Sequence, residues 1–65
     1  MKTVKISTIL SVLKRDGWEV VRQKGSHRQL KHPNKKGTVT VNGKPSDDVC
    51  GFLLRSIQEQ ADVKF

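Results

Sequence analysis

The 65-residue sequence predicts an α+β domain of order α-β-β-β-α, with two helices packed on one face of a three-stranded antiparallel sheet. Three observations predict it. Apolar residues recur with helical spacing near both ends of the chain, and they alternate with polar ones in the middle. The connections between the middle segments are also too short to cross over a sheet, so neighbouring strands run antiparallel. A chain of this length is expected to form a single domain, residues 1–65, and to bury only about 60% of the surface its unfolded form exposes. Two layers are the economical solution, with helices on one sheet face and solvent on the other.

Ile6, Ile9, Leu10 and Leu13 form one stripe of an amphipathic helix. Ser7 offers a side-chain N-cap, Lys14 and Arg15 suit the last turn, and Gly17 suits a left-handed stop. The first helix is thus expected over about Thr8 to Asp16. Trp18 to Gln23 reads as a strand, with Trp18 and Val20 inward and Glu19, Val21 and Gln23 outward. Lys24-Gly25-Ser26 is turn chemistry. His27 to His32 forms the second strand, anchored inward by Leu30 alone, which sends His27, Gln29 and Lys31 to the open face. Pro33 to Gly37 is a loop. Thr38 to Val41 is the third strand, with Val39 and Val41 inward and Thr38 and Thr40 outward. After the breaker run Asn42 to Pro45, the residues Ser46, Asp47 and Asp48 suit the N-terminus of a second helix. That helix is expected from Val49 to Ala61, with Cys50, Leu53, Leu54, Ile57 and Ala61 as its stripe. Phe52 lies off the stripe, either as a partner contact or as a cap on the sheet edge. Asp62 to Phe65 carries no pattern.

Thirteen Lys and Arg face six Asp and Glu, a formal charge of +7. Such a density of like charge calls for a polyanionic partner, RNA or DNA. An anionic membrane, an acidic protein partner and a merely soluble basic surface stay open as alternatives. The single cysteine, Cys50, excludes an intrachain disulfide and reads as a buried helix residue. No metal-ligand cluster has the spacing of a structural zinc site, and no cofactor is implied. The N-terminus lacks the apolar run of a signal peptide, and no segment approaches the ~20 apolar residues of a membrane span. A reducing, cytoplasmic setting without membrane association is expected.

His27 is the sharpest chemical candidate. An imidazole exchanges protons near neutral pH, with a ribose hydroxyl or a leaving oxygen for example. It opens a strand just after Gly25 and Ser26, where an RNA backbone has room to approach. Lys24, Arg28, Lys31 and Lys44 are the candidate cations for the phosphate, and Lys35 and Lys36 in the second loop are candidate positioning contacts. The competing reading is an ordinary surface histidine. His32 falls on the Leu30 side of the alternation and reads as a structural or turn residue. Trp18, in phase with Val20, reads as core in preference to a base-stacking platform.

Gly25-Ser26-His27, Lys31-His32-Pro33 and Gly37-Thr38-Val39-Thr40-Val41 together resemble the HicA family of toxin–antitoxin systems, also called YcfA-like mRNA interferases. Asp16-Gly17-Trp18 upstream, and Leu54-Arg55-Ser56-Ile57 with Gln60-Ala61 downstream, extend the resemblance over nearly the whole chain. The resemblance implies a double-stranded-RNA-binding-domain-like fold and cleavage of RNA, including translated messages, that stops growth. It makes His27 the catalytic residue, and Lys24, Gly25, Ser26, Arg28, Lys31, Lys35, Lys36 and Lys44 are the RNA contacts expected around it. It also implies a HicB-like antitoxin that masks the site and joins the toxin in repressing their operon. The toxin is then a monomer when free and a hetero-oligomer with its antitoxin. The family's Pro and His after the third strand are replaced here by Val41-Asn42-Gly43-Lys44-Pro45, which sets Lys44 in the place of the second His. Lysine holds its proton at neutral pH and suits phosphate binding better than proton transfer. Asp62 stands where a Gly commonly ends the second helix. Three functions are carried forward: a metal-independent ribonuclease, a non-catalytic RNA-binding module, and a module whose basic surface chiefly docks an acidic antitoxin-like partner.

Overall fold

A computed structural model describes residues 2–65 of the chain. The elements are β1 (Thr3–Lys5), α1 (Ile6–Asp16), β2 (Glu19–Lys24), β3 (His27–Lys31), β4 (Val39–Asn42), β5 (Asp48–Cys50) and α2 (Gly51–Ala61). The expected α-β-β-β-α order is present as α1, β2, β3, β4 and α2, a double-stranded-RNA-binding-domain-like arrangement. The three central strands form an antiparallel sheet of order β2-β3-β4.

The core follows from the apolar pattern. Ile6, Ile9 and Leu13 of α1, Trp18 at its exit, Leu30 of β3 and Val39 and Val41 of β4 are fully buried. Leu54, Ile57 and Ala61 of α2 complete the layer. Each such aliphatic side chain is stabilising by roughly 1.5–3 kcal/mol relative to an exposed one. The alternation along β3 and β4 leaves one sheet face on this core and the other in solvent.

The ends of the helices depart from expectation. Residues 3–5 and 48–50 form an additional antiparallel ribbon, with Val4 paired to Val49 and both buried. Cys50 is therefore an exposed strand residue, not a buried helical one, and α2 begins two residues later than its stripe suggests. Leu53 consequently lies 58% exposed, outside the buried stripe. Phe52 is 89% exposed and caps no sheet edge. Ser7 is not an N-cap: α1 starts at Ile6 without a side-chain cap. Its first N–H groups are satisfied by the turn before β5, Ile6 N–H by Asp47 O (2.9 Å) and Ser7 N–H by Pro45 O (3.0 Å). Ser46, Asp47 and Asp48 thus do not cap α2. Asp47 closes the turn through Lys44 N–H (2.9 Å), and Asp48 pairs with Lys5 on the surface (3.0 Å).

Where α1 ends, Gly17 takes φ 113° and its N–H bonds Lys14 O, as a left-handed stop requires. The same glycine makes room for His32, because a Cβ there would meet the imidazole Nε2 at 2.7 Å. Asp62 takes φ 54° and closes α2, filling the left-handed position without glycine.

Candidate functional site

The open sheet face carries a shallow depression lined by Arg22, Lys24, His27, Gln29, Thr40 and Asn42. The positions follow from strand register. On β3, His27 and Gln29 point outward opposite the buried Arg28 and Leu30. On β4, Thr40 pairs with Gln29 and Asn42 with His27, so these four side chains share the face.

The third side of the depression depends on an irregularity in β2. Glu19 and Val20 pair with Lys31 and Leu30, but the next pairing joins Arg22 to Gln29, which leaves Val21 as an extra residue. Beyond this bulge the alternation is inverted. Lys24 lies opposite His27 and Arg22 opposite Gln29, both outward, while Gln23 pairs with inward Arg28. The expected outward set Glu19, Val21 and Gln23 therefore holds only before the bulge. Regular alternation sets Arg22 inward, and the Val20–Val21 doublet is the signal in the sequence that alternation breaks there. Asn42 opens the expected breaker run but is the last residue of β4. Continuing the outward series Thr38, Thr40 by two residues reaches it.

His27 is exposed, and its Nδ1 lies 2.9 Å from Asn42 Oδ1. Gly25, at φ 59°, and Ser26 form the two-residue turn before it, the pattern of a tight hairpin with glycine first. None of the six lining residues is acidic, and two are cations.

The remaining expected contacts fall elsewhere. Arg28 is not a phosphate-facing cation but a buried one, 7% exposed. Its guanidinium donates to Gly43 O (2.8 Å) and Ser26 O (3.3 Å), which alternation predicts once Leu30 is set inward. Lys35 is likewise engaged within the fold. Its ammonium donates to Asp16 Oδ2 (2.7 Å), Asp62 O (3.1 Å) and Ala61 O (3.2 Å), tying the loop before β4 to the C-terminal ends of both helices. Lys31 shares the open face but stands four residues along β3 from His27, about 13 Å away at strand rise. Lys36 is exposed in the loop. Lys44 lies beyond the end of β4, so the group facing His27 from that strand is Asn42, not Lys44.

His32 occupies the opposite layer. Its Nε2–H donates to Asp16 O (2.7 Å), its Nδ1 accepts from Asn34 N–H (2.9 Å), and its ring meets Trp18 edge-on at 5.4 Å. The Lys35 ammonium beside Asp16 holds that carboxyl below the usual carboxylate range against the opposing effect of desolvation, and His32 adds a smaller pull. The buried Trp18 indole N–H faces this carboxylate without reaching hydrogen-bond geometry.

Among the described residues no group of three or more His, Cys, Asp or Glu side chains is placed to hold a metal, and no helix is long and apolar enough to cross a membrane. The fold and this face define a small double-stranded-RNA-binding-domain-like module with one imidazole set among cations on its open sheet. Residues 6–63 match the family model described as the HicA toxin of bacterial toxin–antitoxin systems, and the chain belongs to that family. Membership makes it the toxin of such a pair and implies an antitoxin partner. No curated protein matches the chain.

Proposed function

We propose that this toxin is a metal-independent endoribonuclease, an mRNA interferase of the cytoplasm that inhibits translation and growth, with His27 as its catalytic residue. One observation carries the reading: the imidazole stands exposed in a depression whose other charged lining groups, Arg22 and Lys24, are cationic. Arg22 and Lys24 hold the scissile phosphate and stabilise the charge that grows on its oxygens. His27 Nε2 takes the proton of the adjacent 2′-hydroxyl. The 2′-oxygen then bonds to phosphorus as the P–O5′ bond breaks, and the departing 5′-oxygen takes a proton from solvent. The products are a 2′,3′-cyclic phosphate and a free 5′-hydroxyl. Lys31, Lys36 and Lys44 add phosphate contacts along the flanking strand, and the Gly25–Ser26 turn lets the backbone approach. The free toxin is a monomer, and its HicB-like antitoxin forms a hetero-oligomer with it that covers this face.

The test is RNA cleavage in EDTA by the wild-type chain and by His27→Ala, both checked for folding by circular dichroism and for RNA binding by fluorescence anisotropy. Cleavage by the wild type alone, with binding kept in both, is the expected result. Binding without cleavage by either folded protein would replace the nuclease with a non-catalytic RNA-binding module.

A further inference from the structure

His27 is held from one side. Its Nδ1 is 2.9 Å from Asn42 Oδ1, and the two residues are direct cross-strand partners of β3 and β4. An amide oxygen accepts hydrogen bonds and does not donate them, so this contact is a bond only while Nδ1 carries a proton. In the neutral imidazole that leaves the lone pair on Nε2. We propose that Asn42 is the positioning residue of the site: its Oδ1 fixes the tautomer and ring orientation of His27, so that Nε2 is the nitrogen presented to substrate. The inference rests on the nuclease reading of His27.

The surroundings of the pair are built to keep it in register. Ser26 precedes His27 and Gly43 follows Asn42. Gly43 N–H donates to Ser26 O (3.2 Å), and the buried Arg28 guanidinium donates to the carbonyls of both residues. A cation on the core side of the sheet thus clamps the two residues, Ser26 and Gly43, whose neighbours His27 and Asn42 meet on the open side. This gives Arg28 a role that the outward-facing cations do not share. It holds the backbone from which His27 and Asn42 project.

The remaining groups facing His27 are Lys24 and Arg22 from β2, Gln29 from β3 and Thr40 from β4. No carboxylate is among them. An amide in this position selects the tautomer without the added charge stabilisation that a carboxylate gives the imidazolium.

The first test needs no activity. Imidazole ¹⁵N spectra of the full chain, recorded where the ring is neutral, are expected to show His27 as the Nδ1–H tautomer. Asn42→Leu shifts it toward Nε2–H. An Nε2–H tautomer in the wild type overturns the proposal. In cleavage assays Asn42→Leu is expected to lower kcat on the order of ten- to a hundred-fold, part of what general base catalysis supplies, with KM little changed. Asn42→Asp keeps the ring oriented and moves the acidic limb of the rate profile to higher pH, because a carboxylate favours the imidazolium. An Asn42→Leu protein that cuts at the wild-type rate, or an Asn42→Asp profile that does not move, also overturns it. A wild-type chain that cuts no RNA removes the nuclease reading instead, and the tautomer still decides the Asn42 contact.

Discussion

The two histidines of this chain lie five positions apart and do opposite things. His32 has both ring nitrogens engaged by backbone, Nε2 on Asp16 O and Nδ1 on Asn34 N–H, and its ring packs against Trp18. His27 has one nitrogen engaged by a side chain, and it stands in solvent beside two cations. A ring with both nitrogens bonded holds structure together and has no lone pair or proton to offer a substrate. One with a single nitrogen bonded is oriented and still chemically available. The difference arises from strand alternation, which sends residue 27 to the open face while residue 32, just past β3, turns back beneath Gly17.

That contrast is broken most directly at His27. His27→Ala is expected to lower the cleavage rate by about a hundred-fold or more and to change stability by less than about 0.5 kcal/mol, as exposed substitutions do. His32→Ala inverts the result. Losing two backbone partners and the Trp18 contact costs about 2–3 kcal/mol in urea unfolding, while the folded fraction still cuts RNA. A stable His32→Ala protein, or an unstable His27→Ala one, would erase the distinction. Arg22→Ser and Lys24→Ser sharpen it on the binding side. Each is expected to weaken RNA binding several-fold and to reduce the salt slope of log K by about one, with no comparable loss for Lys35→Met, whose ammonium is engaged within the fold. The smallest effect lies at Asp16. Its folded pKa is depressed below the ordinary 3.8, chiefly by Lys35. The stabilisation is therefore fully present above that ordinary value and is lost as pH falls through the lower folded one. Asp16→Asn should flatten this acid limb of a Tm-versus-pH curve.

Much of this arrangement is written in local patterns. The Ile6-Ile9-Leu13 stripe and the Leu30, Val39 and Val41 alternation place α1, β3 and β4, and they set His27 outward without reference to any distant residue. β1 and β5 left no such trace. Three-residue strands paired across more than forty positions have no periodicity of their own, and only tertiary packing of Val4 against Val49 selects them. The cations divide in the same way. Arg28 was legible as inward from the phase of Leu30, whereas the capture of Lys35 by Asp16 and the end of α2 depends on the meeting of three separate segments. Asn42 falls between these cases, since its face follows from Thr40 but its contact with His27 depends on the pairing of two strands.

The bulge at Val21 has a consequence for how the site tolerates changes in chain length. Along a regular strand, adding one residue carries every later side chain through the sheet, whereas a bulge takes up the extra residue locally. Here Val21 is that residue, and Arg22 and Lys24 keep their places opposite Gln29 and His27. Pairing the same residues without the bulge would turn both cations from the imidazole at once. Deleting Val21 would instead leave both beside it, in an unbroken strand.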